Sequence, residues 1–148
     1  MAKPKTNNLP FVPGMMTPIS YGLLFAANGL VISLANTWFP QYVVLGTVNI
    51  SALWAVLLSA GVLALIGTLT MPFFQEYESR RGRMLSDKEW MVGYLVVNFV
   101  GVWLVARVSE IFGLGVTSWM VVLGLAAVLD LVQGFVMMGL EKYKTQKQ

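Results

Sequence analysis

The chain has 148 residues, of which 57% are hydrophobic and only 11% charged. Its mean hydropathy is +0.70 and its pI about 9.3. A soluble domain carries roughly 25% charged residues, so a water-soluble enzyme is excluded first. Seventy consecutive residues between Lys5 and Glu76 contain no Asp, Glu, Lys or Arg, a pattern that points to the bilayer as solvent. The absence of cysteine and histidine removes disulfides, thiol chemistry, imidazole acid–base catalysis and the common zinc, haem and copper sites. No metal and no cofactor are expected.

Four spans follow in chain order, over about 19–39, 51–74, 90–108 and 117–140. Pro40 ends the first, Pro72 lies late in the second, Arg107 closes the third and Glu141 stops the fourth. A backbone in lipid must satisfy its own hydrogen bonds, and helices of about 20 residues do so. Barrel strands alternate apolar and polar residues, whereas Leu53 to Ile66 is apolar all round apart from Ser59. The expected fold is an all-α, four-helix transmembrane bundle of two α-hairpins. Ser33-Leu34-Ala35 resembles a small-residue cleavage site, but the apolar stretch runs on to Phe39, so a retained first span is expected.

Residues 1–18 hold four prolines and read as an extended cytoplasmic arm, and residues 141–148 as a cytoplasmic tail. Residues 75–89 read as the one substantial soluble loop, with Ser86 capping the third helix and Glu89 three residues on. Lys3, Lys5, Arg80, Arg81, Arg83, Lys88, Lys142, Lys144 and Lys147 all fall on one side of the predicted membrane, leaving Arg107 alone on the other. The positive-inside rule therefore places both termini in the cytoplasm of a multi-pass protein of the inner, cytoplasmic membrane. The net charge of +3 calls for no nucleic acid. It reflects basic rims, which favour anionic lipids at the cytoplasmic face by about 1 kcal/mol per basic residue. Arg80, Arg81 and Arg83 form the densest basic patch.

The two halves resemble one another. Each hairpin has an Asn midway along its first span (Asn28, Asn98), a Gly-containing outer turn (Gly46; Gly113 and Gly115) and a re-entry marked by Ser and Trp (Ser51 with Trp54; Ser118 with Trp119). Both hairpins start on the same side, so a parallel pseudo-repeat is expected. Paired Trp residues at one depth also suit an aromatic belt.

Asp130 is the one ionisable residue deep in a span, fourteenth in the fourth segment, and such a group costs about 2.5–3.5 kcal/mol at the bilayer centre. Gln133 lies one turn on, and Ala126, Ala127 and Gly134 share that side of the helix. Asn28 and Asn98 reach a similar depth. Asp130, Gln133, Asn28 and Asn98 are therefore expected to meet in the bundle centre. Such a group can serve as a proton or cation site or as a polar handle for a substrate. It can equally be helix glue worth about 0.6 kcal/mol per polar contact. Arg107 and Glu110, three apart, are expected to pair at the outer interface. Gly22 with Ala26, and Ala60 with Ala64, are small-xxx-small pairs suited to close helix contact.

The run Asn28-Gly29-Leu30-Val31, Trp38-Phe39-Pro40, Val44-Leu45-Gly46 and Trp54-Ala55 resembles the small four-span holin-like proteins of phage holin superfamily IV. Asn98-Phe99, Leu104 to Arg107, Gly113-Leu114-Gly115 and Trp119 extend the likeness over residues 20–135. The resemblance implies oligomerisation and membrane permeation by a non-enzymatic protein. The chain departs from that pattern in its charged middle connection, in Ile66-Gly67-Thr68 late in the second span, and in Asp130. Four-span proteins that help flip lipid-linked sugars share the layout. The expected function is thus holin-like self-association. The alternatives are a small transporter or flippase using Asp130, and a structural subunit docking a cytoplasmic partner.

Overall fold

In the computed structural model, which describes residues 13–146, the chain is mostly helical. The elements are α1 (Pro13–Trp38), β1 (Val43–Leu45), α2 (Ala52–Arg81), α3 (Asp87–Arg107), α4 (Ser109–Phe112), β2 (Leu114–Val116) and α5 (Trp119–Gln146). Helices α1, α2, α3 and α5 are each long and apolar enough to cross a membrane. Their outward faces carry Leu30, Leu53, Leu69, Val92, Leu131 and Phe135, all exposed. In water that surface would drive aggregation; in lipid it is the solvated face. The chain is a multi-pass membrane protein.

The four long helices form a ring in which α1 packs on α2 and α5, and α3 on α5 and α2. The α1–α2 seam is close because Gly29 faces Val56 and Ala60 while the Tyr21 hydroxyl donates to the Gly61 carbonyl at 3.1 Å. Ala60 and Ala64 are fully buried in the bundle. Gly22 and Ala26 instead face outward, so one of the two small-residue pairs serves the fold and the other is left on the surface.

The boundaries depart from expectation at the charged connection. α2 continues through Pro72 to Arg81, and only Gly82 to Ser86 separate it from α3. Most of the segment 75–89 is therefore helix and not loop. Glu76 and Arg80, four apart, pair along that extension at 2.9 Å, and Gly82 closes it at φ 69°, its N–H donating to Glu78 and Ser79 carbonyls. The expected cap is present: the Glu89 amide donates to Ser86 Oγ, and the Ser86 amide to the Glu89 carboxylate. Similarly α1 starts at Pro13 and α5 runs to Gln146, so helix occupies six residues assigned to the N-terminal arm and most of those assigned to the tail. Lys3 and Lys5 lie outside the described residues.

A second departure is a small antiparallel sheet in an otherwise helical protein. β1 and β2, from the two connections at the end opposite the termini, pair Val43 with Val116, Val44 with Gly115 and Leu45 with Leu114. The ladder is extended by Gly46 N–H to the Gly113 carbonyl at 2.8 Å and Thr117 N–H to the Tyr42 carbonyl at 3.1 Å. Both connections carry backbone groups that helices cannot satisfy near the hydrocarbon boundary, and each supplies the other's partners. Val43 and Leu114 point inward and join the core of Val31, Ile32, Leu63, Val102, Val105, Leu125 and Leu129. The sheet thus lids the bundle. Exposed Trp38, Trp54 and Trp119 surround this end, as an interfacial aromatic belt would.

Candidate functional site: a buried amide cluster and a half-exposed carboxyl

Asn28, Asn98 and Gln133, from α1, α3 and α5, meet at the bundle centre, all essentially buried. Gln133 Nε2 donates to Asn28 Oδ1 at 2.7 Å and to Asn98 Oδ1 at 3.3 Å. Asn98 Nδ2 donates back to Gln133 Oε1 at 2.9 Å. One glutamine therefore ties the diagonally opposed α1 and α3 together through α5. Gly101, one turn from Asn98, lets Leu63 approach to about 3.1 Å of where its Cβ would stand, which holds α3 against α2 beside the cluster.

The cluster is almost closed as a hydrogen-bonding system. Among the described residues, Asn28 Nδ2 has no partner, so one donor group remains at the centre of the protein. Thr68 Oγ1 on α2 is the other buried side-chain atom without a partner. Ser59, also fully buried, donates to the Phe112 carbonyl at 3.2 Å, pinning α2 to the short helix before β2. The sequence signal for Ser59 is its place among Ala55, Ala60 and Leu63, the small and apolar residues of the buried α2 face.

Asp130 does not join the amides. It is half-buried, and no hydrogen bond or ion pair reaches it among the described residues; Tyr94 of α3 lies within electrostatic reach of it. The reason is angular. Three residues turn a helix by about 300°, so Asp130 lies about 60° around α5 from Gln133. Ala126 and Gln133 face the core, whereas Ala127, Asp130 and Gly134 occupy the neighbouring edge, and nothing stands within 4 Å of where a Gly134 Cβ would be.

The outer pair expected between Arg107 and Glu110 is not formed. Helix α3 ends at Arg107, Val108 takes a non-helical φ of −112°, and α4 starts afresh at Ser109, so the three-residue spacing no longer describes one helical face. The Arg107 guanidinium instead lies 5.1 Å from the Trp103 ring centre, a cation–π contact. The basic patch is also not a free cationic surface. Arg80 pairs with Glu76, while Arg81 and Arg83 both reach Glu89, at 3.4 and 2.8 Å. No cluster of acidic residues suited to a metal ion occurs among the described residues.

An apolar groove of about 420 Å³ runs between α1 and α5 below β1, from Val132 to Trp38 and Tyr42. No family model, no curated protein and no solved structure matches the chain.

Proposed function

We propose that this is a non-enzymatic membrane protein, holin-like in the sense of acting through self-association, with permeation at the boundary between protomers. The observation that carries the reading is Asp130. It is an intramembrane carboxyl, half-exposed on the bundle surface and without a hydrogen bond among the described residues, a placement that costs several kcal/mol against lipid. Gly134, one turn on, leaves room for another helix, and a second copy contacting this edge would remove Asp130 from lipid and give it a polar neighbour. Outward-facing Gly22 and Ala26 offer a second close-contact strip on α1. Both termini lie in the cytoplasm by the positive-inside rule, and the two hairpins are a parallel pseudo-repeat. The in-register pairing of β1 with β2, one strand from each half, supports that repeat.

The test is leakage from proteoliposomes combined with cross-linking. Gly134→Cys on this cysteine-free chain should give disulfide-linked dimers on oxidation in the bilayer, and wild-type vesicles should release a small dye. Asp130→Asn should keep the permeation. Tight vesicles together with no dimer would overturn the reading.

A second reading, a small transporter or lipid-linked-sugar flippase, is favoured by one feature: the free Asn28 Nδ2 donor inside the bundle. It requires flux that depends on pH and on Asp130, which the same vesicles report.

A further inference from the structure

A second large recess lies where α2 and α3 meet near the Gly82 turn. It is a groove of about 640 Å³ with an apolar throat and a charged rim. Phe73, Val92 and Gly93 form the throat. Tyr77, Arg81 and Lys88 form the rim. We infer that this groove binds one anionic phospholipid, with an acyl chain in the throat and the phosphate between Arg81 and Lys88.

Depth supports this occupant. If exposed Trp54 marks one interface, about 20 residues of α2 cross the hydrocarbon, which ends near Phe74. Phe73 and Val92 then sit at the hydrocarbon edge, and Arg81 lies about 10 Å further along the axis, within reach of phosphates by snorkelling. Both Phe73 and Val92 are well exposed, so the throat opens sideways to lipid and not only to water.

The throat owes its shape to a glycine. A Cβ on Gly93 would stand 2.7 Å from Phe74 Cζ, so the Phe74 ring occupies the space a side chain would fill. There it packs edge-on against Trp90 and Tyr94, at 5.0 and 5.5 Å between ring centres. Phe74 is thereby turned inward and the groove stays open.

Charge complementarity selects the headgroup. Three charged side chains line the groove: Arg81, Lys88 and Glu89. Glu89 is already served by Arg83 at 2.8 Å and by the Ser86 amide at 2.8 Å. Arg81 reaches Glu89 only at 3.4 Å and rests 5.5 Å from the centre of the Tyr77 ring, and Lys88 has no ion pair among the described residues. Two cations thus face the groove with one carboxylate satisfied elsewhere, which suits a phosphodiester and gives a zwitterionic headgroup no advantage. Binding there requires neither self-association nor a particular membrane side for the turn.

The test is native mass spectrometry of the full chain in detergent, with an equimolar mixture of phosphatidylglycerol and phosphatidylcholine of identical acyl chains. One phosphatidylglycerol should be retained preferentially, by about thirtyfold for two basic contacts. Arg81→Gln with Lys88→Gln should abolish that preference, and Val92→Trp should reduce binding of both lipids by blocking the throat. Arg80→Gln with Lys142→Gln, matched in charge and outside the groove, should leave the preference intact. Equal retention of the two lipids by the wild type overturns the inference. So does an equal loss in the charge-matched variant, which would mean diffuse surface attraction, or displacement by inorganic phosphate alone, which would mean a phosphate site without a lipid tail.

Discussion

Replacing Gln133 by leucine is the sharpest perturbation of the bundle, because that side chain makes three of the contacts that join α1, α3 and α5. Leucine conserves much of the volume, so little cavity is created. At about 0.6 kcal/mol for each interhelical hydrogen bond in a membrane, the direct loss is about 2 kcal/mol. A larger figure applies if Asn28 Oδ1 and Asn98 Nδ2 stay buried without partners, at about 1–3 kcal/mol per orphaned group. Unfolding in mixed micelles, followed by circular dichroism, measures the change. Asn98→Leu provides the cycle: in that background Gln133→Leu should cost at least about 1 kcal/mol less than in the wild type, since contacting residues couple on that scale. Asp130→Asn, which removes no hydrogen bond, should move the unfolding midpoint by less than the equivalent of about 0.5 kcal/mol. If Gln133→Leu is neutral, or if the two leucine substitutions add, the amides do not act as one structural unit.

Four further outcomes are expected. Gly113→Ala should destabilise by about 2–4 kcal/mol, from positive φ and from crowding in the core, because Gly113 has φ 77° and its Cβ would stand 2.5 Å from that of Ala55. Gly115→Ala, whose nearest neighbour would be at 3.8 Å, should stay within about 0.5 kcal/mol of wild type in the same denaturation. Val44→Cys with Gly115→Cys should form an intramolecular disulfide on oxidation, seen as a gel-mobility shift, since directly paired antiparallel residues have Cα atoms about 4.5–5.5 Å apart and disulfides accept about 4.4–6.8 Å; failure to form it would refute the β1–β2 register. Ser86→Ala should cost about 1 kcal/mol of local stability through loss of the cap, visible as faster amide exchange over the first turn of α3.

The span positions were legible because the bilayer imposes a length and a composition together. Seventy uncharged residues bracketed by Lys5 and Glu76 suit hydrocarbon and not a surface that faces water. Counting along the spans also placed Asn28, Asn98 and Gln133 at one depth, and the structure joins them by hydrogen bonds. Depth follows from position along a helix axis, which sequence order carries. Rotation about the axis is harder. Asp130 shares a turn with Gln133, yet an offset of about 60° separates the core from the surface edge, and only the packing of α5 between α1 and α3 decides which residue takes which side.

The tertiary structure alone decided the rest. β1 and β2 are three residues each and some seventy residues apart, too short to show a period of two. Their pairing depends on two connections meeting above the same bundle. The charged segment 75–89 reads as a loop by polarity, but polarity does not distinguish coil from a helix that extends beyond lipid, and the Glu76–Arg80 pair suits the latter. Arg107 and Glu110 sit at a pairing distance only if one helix holds both, and the break at Val108 removes that condition. The sequence by itself determined that this protein lives in a membrane as four helices, since that follows from solvent and chain length. Which polar groups close on one another, and which are left facing lipid, required the packed bundle.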